Sequence, residues 1–318
     1  MTIKHLIISG GGIHGFTFWG MIKECMKHNV IVYDNIETIT STSIGSFIAV
    51  IISLNYDTSV IDEYIIKRPW HETIPLGVYE YLEAFNKCGI FDTSLIKTIM
   101  KPLFGGKNIS LDITLKEFYE FSNIECNFLC TNAFNLQPVL MNHKNFPDEK
   151  LLDVVYCSAS IPIIFQPIEI QNIHYIDGGI NANYPIDFFI DNYENVNTDE
   201  ILGINNNLLV DSKIDYTNLI SYVSSSLFIM INNRVSRHIN AKIKFEISFH
   251  PSVEDTFDFS KMIYNESERN RSIHKGTLLA ENLIILYNGN NLGGDTSIGT
   301  TDDTDRPNDT NEKETIPY

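Results

Sequence analysis

Apolar and polar positions along the first 54 residues follow a strand–helix–strand–helix order. The apolar run 5–9 predicts a buried strand, and the helical spacing of apolar residues over 16–28 predicts the helix after it. A second strand at 37–40 leads into a turn of small residues, and the apolar run 47–52 continues as a second helix. Because strands that alternate with helices are typical of parallel sheets, this order predicts an α/β protein with helices on the faces of its sheet.

The rest of the chain carries further segments of both periodicities. Helices are predicted over 57–67, 78–87, 93–101, 151–160, 214–239 and 274–287, with a shorter one from Thr114. Strands are predicted over 127–132, 137–141, 168–170, 173–176, 200–205 and 243–250. Pro102 and the Gly105-Gly106 pair are expected to end the helix that begins at Thr93, and 88–92 is expected to be a loop.

The composition of the chain changes at Asn288. Gly, Asn, Asp and Thr dominate from there to Tyr318, and a segment of this kind buries too little apolar surface to fold. Residues 288–318 are therefore predicted to be a disordered acidic tail, and residues 1–287 to form one domain.

The charge of the chain excludes some classes of function. Sequence-independent nucleic-acid binding needs Lys and Arg to neutralise phosphates, and the formal net charge is -17, so no nucleic-acid partner is expected. Strong docking on anionic lipid is disfavoured for the same reason. The five cysteines are odd in number and scattered, which predicts buried thiols in a reducing compartment rather than a zinc site.

The N-terminal residues enter the first strand directly, without the pattern of a secretory signal. The longest apolar runs are far shorter than a membrane span. We therefore expect a cytoplasmic protein that is soluble or peripherally associated with a membrane.

A glycine-rich stretch, Gly10-Gly11-Gly12-Ile13-His14-Gly15, lies between the first predicted strand and the first predicted helix. Its G-x-G-x-x-G spacing fits a dinucleotide-binding loop, with Asp34 about 20 residues further on. It equally fits a loop whose backbone N–H groups hold an oxyanion at a helix N-terminus. A glycine-rich turn without a ligand is the third interpretation.

A second candidate is the turn Ser41-Thr42-Ser43-Ile44-Gly45, which joins the second strand to the second helix. A nucleophile elbow has the pattern G-x-S-x-G at such a junction and exposes its serine to substrate. Ser41 stands where the first Gly of that pattern is expected. A serine here is surplus to a nicotinamide site but necessary for acyl transfer, so Ser43 favours the oxyanion interpretation of the glycine-rich loop. A tight turn without chemistry remains the alternative.

The third candidate is Asp177, which ends a predicted strand and precedes Gly178 and Gly179. An aspartate followed by two glycines is open to close approach by other backbone groups. An Asx turn of purely structural role is the common alternative for an Asp-Gly pair.

The three stretches together, in this order, resemble the motifs of the patatin-like phospholipase family. The segment 157–167, with its small residues before Pro162, is also similar to the stretch that precedes the aspartate in that family. The resemblance covers about residues 4–287. It implies an α/β fold of the patatin-like three-layer α/β/α type, with a mostly parallel central sheet.

The resemblance also implies a function and a set of site residues. The function is that of a lipid acyl hydrolase of phospholipase A or lysophospholipase type, in which Ser43 is the nucleophile and Asp177 takes its proton without a histidine. The oxyanion hole would be formed by backbone N–H groups of Gly11 and Gly12, with Gly10 as a further candidate. The remaining motif residues are expected to support the site: His14, Gly15, Ser41, Gly45, Gly178 and Gly179. No metal or cofactor is needed, and the expected partners are a lipid or lysophospholipid substrate and a transient membrane surface.

Two departures from the family pattern keep other functions open. Ser41 replaces glycine, and His14 stands where the family usually carries Arg or Lys, residues with a fixed positive charge. A catalytically weak or silent lipid-binding or scaffolding protein on the same fold is therefore the alternative, and nicotinamide binding at 10–15 is a third. Trp70, its neighbouring prolines and the helix 93–101 form either a cap over the site or ordinary core.

Overall fold

The computed structural model describes residues 2–74, 86–193, 195–207, 222–223, 226, 229, 242–251 and 259–292. Most of the predicted helices 78–87 and 214–239, and the tail beyond Leu292, lie outside the described residues.

Strands alternate with helices over residues 5–53, as the sequence pattern predicts. The strands are β1 His5–Ile8, β2 Thr38–Thr42, β3 Gly89–Phe91, β4 Glu125–Asn132, β5 Pro138–Met141, β6 Ile163–Phe165, β7 Ile168–Ile170, β8 Ile173–Asp177, β9 Ile201–Asn206 and β10 Phe245–Phe249. The described helices include α1 Gly15–Lys27, α2 Ile44–Ser53, α3 Thr58–Lys67, α4 Trp70–Thr73, α5 Thr93–Gly106, α6 Leu115–Ser122, α7 Leu151–Ser158, α8 Ile186–Asn192, α9 Phe259–Tyr264 and α10 Glu266–Leu292. No helix within these ranges has both the length and the apolar character needed to cross a bilayer.

One large sheet organises the described chain. Its strand order is β10-β9-β1-β2-β4-β8-β7, and β5 also pairs with β4. The pairs from β10 to β4 are parallel, whereas β5 and β8 run antiparallel to β4. The parallel strands therefore end at the same edge of the sheet, where loops bring functional side chains together.

Both faces of this sheet are covered. Along β1, Leu6 and Ile8 lie in the larger apolar core, which also contains residues of α1, α2 and α10. Ile7 lies in a smaller cluster with Ile186 and Phe189 of α8. Because successive strand residues point to opposite faces, β1 is buried between two helical layers. The predicted three-layer α/β/α fold with a mostly parallel sheet is confirmed.

Helix α5 differs from its sequence prediction. The helix continues through Pro102 to Gly106, so the prediction that Pro102 ends it is wrong. Proline lacks the N–H that would bond to the carbonyl of Thr98. That carbonyl accepts a hydrogen bond of 3.0 Å from the guanidinium of Arg68 instead. A side chain from outside the helix thus satisfies the group that proline leaves open.

Two further elements differ from the prediction. The expected loop 88–92 contains β3, which pairs in parallel with β6 about 70 residues later. The prediction missed this strand because the hydrophobic pattern of so short a segment does not indicate a distant partner. The final helix α10 begins at Glu266 and ends at Leu292, so it is longer at both ends than the predicted 274–287.

Candidate active site

Ser43 occupies the sharp turn between β2 and α2. Its backbone has φ 54° and ψ -124°, a conformation that a residue with a side chain rarely adopts. Its amide N–H donates to Ser158, with 3.1 Å to the hydroxyl oxygen and 3.2 Å to the carbonyl oxygen. A strained strand-to-helix turn is therefore present at the position where the sequence predicts a nucleophile elbow, and its serine is only 6% exposed.

The sheet register brings Asp177 to the same place. Thr42, the last residue of β2, pairs with Leu129 of β4. The next residue of β4, Cys130, pairs with Asp177 at the end of β8. Ser43 and Asp177 thus lie at one level of the sheet, on either side of β4. Two residues that are 134 positions apart in the chain meet at the edge where the parallel strands end.

The carboxyl group of Asp177 is buried, and its two oxygens differ in their hydrogen bonds. Its Oδ1 accepts the amide N–H of Gly179 at 2.6 Å, while Oδ2 is buried without a regular hydrogen-bond partner among the described residues. Burial raises the pKa of Asp177 to about 7, and the hydrogen bonds from Gly179 and from the Ser43 hydroxyl oppose that rise. A carboxyl group whose pKa is near neutrality exchanges its proton readily at physiological pH, which suits a general base.

The glycine-rich loop lies against this pair. A Cβ atom added at Gly10 would stand 3.2 Å from the Cβ of Ser43. The amide N–H of Gly10 donates to the backbone oxygen of Asn183 at 2.8 Å, so Gly10 has no free donor in this arrangement. For Gly11 and Gly12, no acceptor of the amide N–H lies within the described residues.

Two asparagines fix the peptide that joins Gly10 to Gly11. The carbonyl of Gly10 accepts the side-chain amides of Asn183 at 3.2 Å and of Asn206 at 3.0 Å. In a trans peptide the C=O and the following N–H point in opposite directions. The two asparagines therefore determine the direction of the Gly11 N–H. Sequence reasoning missed both, although Asn183 lies six residues after Asp177 and Asn206 directly follows the predicted strand 200–205.

Ser41, which departs from the expected elbow pattern, fits its place. Its hydroxyl is fully buried and lies 3.3 Å from the carbonyl oxygen of Asn127 and 3.2 Å from the hydroxyl of Ser46. The Ser46 hydroxyl is in turn 2.9 Å from that of Ser158, the residue that holds the Ser43 amide. The extra oxygen at position 41 is thus part of a hydrogen-bonded serine cluster behind the turn.

Replacing Ser41 by glycine is expected to lower the free energy of unfolding by roughly 1–2 kcal/mol. The change removes a buried hydrogen-bonding group and adds backbone freedom to the unfolded chain. Any ester hydrolysis at Ser43 should stay within about twofold, because the Ser41 hydroxyl bonds to Asn127 and Ser46 rather than to Ser43 or Asp177. Urea unfolding and kinetics of the same variant measure both effects. A rise of kcat/KM by tenfold would mean that Ser41 obstructs the site.

The other residues of the predicted motifs make close contacts with neighbouring backbone and side chains. Gly45 lets the start of α2 approach the end of β1, because a Cβ there would stand 2.6 Å from the carbonyl oxygen of Ser9. A Cβ at Gly15 would stand 2.6 Å from a side-chain carbon of Ile44. The ring of His14 packs edge-on against Phe249, with 4.9 Å between the ring centres. Gly178 begins the turn after Asp177, directly against the backbone of β4.

Trp70 belongs to the core rather than to a cap. Its side chain is buried, and its ring N–H donates to the carbonyl oxygen of Ile65 at 2.8 Å. Pro75, another residue of the predicted cap, lies outside the described residues. Within the described ranges, His, Cys, Asp and Glu form no group of three or more that could hold a metal ion.

Comparison with known proteins places these motifs in a family. The family model described as patatin-like phospholipase matches residues 6–190. "Probable lipid hydrolase 463L" of Invertebrate iridescent virus 6 is 32% identical over 190 residues, which are 59% of this chain and 63% of that protein. "Uncharacterized protein R571" of Acanthamoeba polyphaga mimivirus is 27% identical over 249 residues, covering 76% of this chain and 80% of that protein.

Among solved structures, VipD from Legionella pneumophila superposes with a TM-score of 0.54 at 15% identity, covering 90% of this chain and 67% of that one. This likeness shows the fold alone. The match to 463L spans less than two thirds of that relative's length. The family model, by contrast, covers more than half of the present chain and includes the glycine-rich loop, the Ser43 turn and Asp177. The chain therefore belongs to the patatin-like phospholipase family.

Proposed function

We propose that the protein is a lipid acyl hydrolase of phospholipase A or lysophospholipase type, which cleaves carboxylic esters with a Ser43–Asp177 dyad. The observation that carries the proposal is the placement of Ser43, on a strained turn, beside a buried carboxyl group whose pKa is raised to about 7. Family membership and the similarity to a protein named as a probable lipid hydrolase support a lipid ester as the substrate.

In the first half of the reaction, Oδ2 of Asp177 takes the proton of Ser43 as its Oγ attacks the ester carbonyl. Oδ2 is the oxygen without a regular partner, whereas Oδ1 is held by Gly179. The tetrahedral intermediate then collapses, and the leaving alcohol takes the proton from Asp177. The products of this half are the alcohol and an ester of the acyl group with Ser43.

In the second half, Asp177 takes a proton from water as the water attacks the acyl-enzyme. Collapse of the second intermediate returns that proton to the Ser43 oxygen and releases the carboxylic acid. The free amides of Gly11 and Gly12 hold the oxyanion in both halves. Gly10 is left out of this proposal because its N–H already donates to Asn183.

The experiment that tests this function measures the products released from lipid. The purified chain is incubated with phosphatidylcholine and with lysophosphatidylcholine, and free fatty acid is measured by mass spectrometry. Release of fatty acid from either lipid is the expected result. A folded protein that binds these lipids but releases no fatty acid, and whose Ser43 fails to react with a fluorophosphonate, would instead be a silent lipid-binding protein.

The activity is expected to rise with pH through an apparent pKa near 7. Asp177 accepts a proton only when ionised, and burial raises its pKa to about 7, so the active form is lost as the pH falls below that value. The measurement is kcat/KM for a soluble short-chain ester between about pH 5.5 and 9, with circular dichroism as a control for folding. A profile that is flat over this range would contradict the assignment of Asp177 as the base.

Replacing Asn206 by alanine is expected to lower kcat about tenfold with little change in KM. The variant removes one of two donors that orient the Gly10–Gly11 peptide, and a lost hydrogen bond of this kind costs about 1–1.5 kcal/mol. Because the oxyanion forms only after attack, the loss falls on the transition state rather than on substrate binding.

Asn192→Ala is the matched control, since that exposed side chain donates to the carbonyl oxygen of Phe188 within α8. It should leave kcat unchanged. An Asn206→Ala variant with unchanged kcat and an unchanged melting temperature would show that Asn206 does not position the oxyanion hole.

A further inference from the structure

Three exposed apolar side chains lie together at the edge of the sheet that carries the site. Phe134 is 95% exposed and Leu136 is 48% exposed, both in the turn between β4 and β5. Ile173 is 36% exposed at the start of β8. The amide of Ala133 donates to the carbonyl oxygen of His174 at 2.9 Å, which joins the β4–β5 turn to the start of β8. These three side chains are called the apolar tip below.

The turn that carries Phe134 is held by its own side chains. Oδ1 of Asn132 accepts the amide of Phe134 at 2.9 Å, and Oδ1 of Asn135 accepts the amide of Gln137 at 3.0 Å. The amide of Leu136 donates to the carbonyl oxygen of Asn132, also at 2.9 Å. Phe134 is therefore presented to solvent by an ordered turn, although exposing a large aromatic side chain to water is unfavourable relative to burying it.

The apolar tip projects beyond the catalytic pair on the same side of the molecule. Asp177 pairs with Cys130, and β4 continues for two more residues before its turn begins at Asn132. At about 3.3 Å per strand residue, the turn starts about 7 Å beyond the level of the dyad. A surface that meets the tip therefore also faces the edge where Ser43 lies.

The charge around the tip indicates the kind of surface that it meets. Residues 131–137 and 170–173 contain no charged side chain, and the flanking carboxylate of Glu169 lies 3.8 Å from the ring of His174, although the chain as a whole has a net charge of -17. Such a chain is repelled by anionic surfaces, and an uncharged tip loses no charge hydration when it enters a lipid interface. Asparagine and glutamine beside the aromatic ring supply neutral hydrogen-bonding groups at the depth of the headgroups.

The exposed apolar area is too small for a stable dimer. Three partly exposed side chains offer a few hundred Å², whereas a stable interface buries about 800 Å² on each partner. A lipid surface needs no complementary partner shape, so a few inserted side chains suffice.

We propose that the apolar tip docks the protein on a zwitterionic phospholipid surface, with Phe134 inserted among the headgroups and the catalytic edge turned toward the lipid. This inference rests on the proposed function, since it names the surface that presents the substrate. Docking by the tip depends on apolar insertion rather than on charge.

The test uses the full chain with Ser43→Ala, so that binding is measured without hydrolysis. Co-sedimentation with phosphatidylcholine vesicles is compared for this protein and for the same protein with Phe134→Gln. Binding is expected to fall at least about tenfold with Phe134→Gln and to change little with added salt. Ile285→Gln, which changes a 70% exposed side chain on α10, is the matched control and should bind as before.

A second measurement places Phe134 in the interface directly. The two tryptophans of the chain, Trp19 and Trp70, are buried, so Phe134→Trp adds an exposed fluorophore. Its emission should shift to shorter wavelength when phosphatidylcholine vesicles are added.

Three outcomes overturn the docking proposal: equal vesicle binding with Phe134→Gln, binding that requires anionic lipid and disappears in high salt, or a dimer in solution that Phe134→Gln dissociates. The hydrolase proposal is tested separately, because Phe134→Gln with an intact Ser43 should hydrolyse a soluble short-chain ester at the unchanged rate. Vesicle binding without any hydrolysis would leave the docking inference standing and remove the proposed function.

Discussion

Replacing Ser43 by alanine is expected to lower kcat/KM for a soluble short-chain ester by at least about 10³-fold. Without the hydroxyl group no acyl-enzyme forms, and the remaining oxyanion donors can assist only direct attack by water. A loss of this size corresponds to about 4 kcal/mol of transition-state stabilisation. Initial rates on the short-chain ester and on phosphatidylcholine measure it.

The variant should remain folded, because the Ser43 contacts that hold the turn are made by its backbone amide and carbonyl. Relief of the strained φ is not expected, since alanine has the same Cβ. Ser59→Ala, which changes an exposed serine near the start of α3, is the matched control and should keep the full activity. Equal turnover by the wild type and by Ser43→Ala would show that Ser43 is not the nucleophile.

Replacing Asp177 by asparagine is expected to abolish activity and to stabilise the fold. Asparagine keeps an oxygen for the Gly179 amide but cannot accept the Ser43 proton, so kcat should fall by at least about 10³-fold. The stability gain follows from the raised pKa of Asp177, because the folded chain must bury a charge above that pKa.

The pH dependence of that gain has a definite sign. In the unfolded chain Asp177 ionises near its ordinary pKa of 3.8, whereas in the folded chain its pKa is raised to about 7. Between these values the folded state holds the proton more tightly, so the contribution of Asp177 to stability is full below about pH 4 and is lost as the pH rises to about 7. Asp177→Asn has no carboxyl group at this position, so its free energy of unfolding does not fall in this way as the pH rises.

Urea unfolding near pH 5 and near pH 8 measures the difference. The free energy of unfolding of Asp177→Asn should exceed that of the wild type more at pH 8 than at pH 5, by about 3 kcal/mol, because the pKa of Asp177 is raised from 3.8 to about 7. An advantage of the variant that is the same at both pH values would show that the folded-state pKa is not raised.

The sequence predicted the elements whose signal is local. Alternating apolar runs predicted β1, α1 and β2, and the small-residue turn predicted the position of the elbow at Ser43. The sequence alone did not show whether a serine at position 41 fits the turn. It fits because its hydroxyl contacts Asn127 and Ser46, and these contacts arise only when β4 and α2 pack against β2.

What the sequence did not predict depends on partners far along the chain. The helix α5 continues past Pro102 because Arg68, more than 30 residues earlier, binds a freed carbonyl. The hydrogen bonds of the Gly10 amide and carbonyl were also hidden, since Asn183 and Asn206 reach the glycine-rich loop only through the order of strands in the sheet. A glycine-rich motif indicates that backbone amides are accessible, but the surrounding fold decides which of them stay free.

The most direct test of the Ser43–Asp177 dyad is covalent labelling of the folded chain with a fluorophosphonate, followed by peptide mass spectrometry. The dyad predicts one adduct, on Ser43, which forms at least about 100-fold more slowly in Asp177→Asn because the nucleophile then lacks its base. An adduct on another residue, or a folded wild-type chain that stays unlabelled, would contradict the dyad.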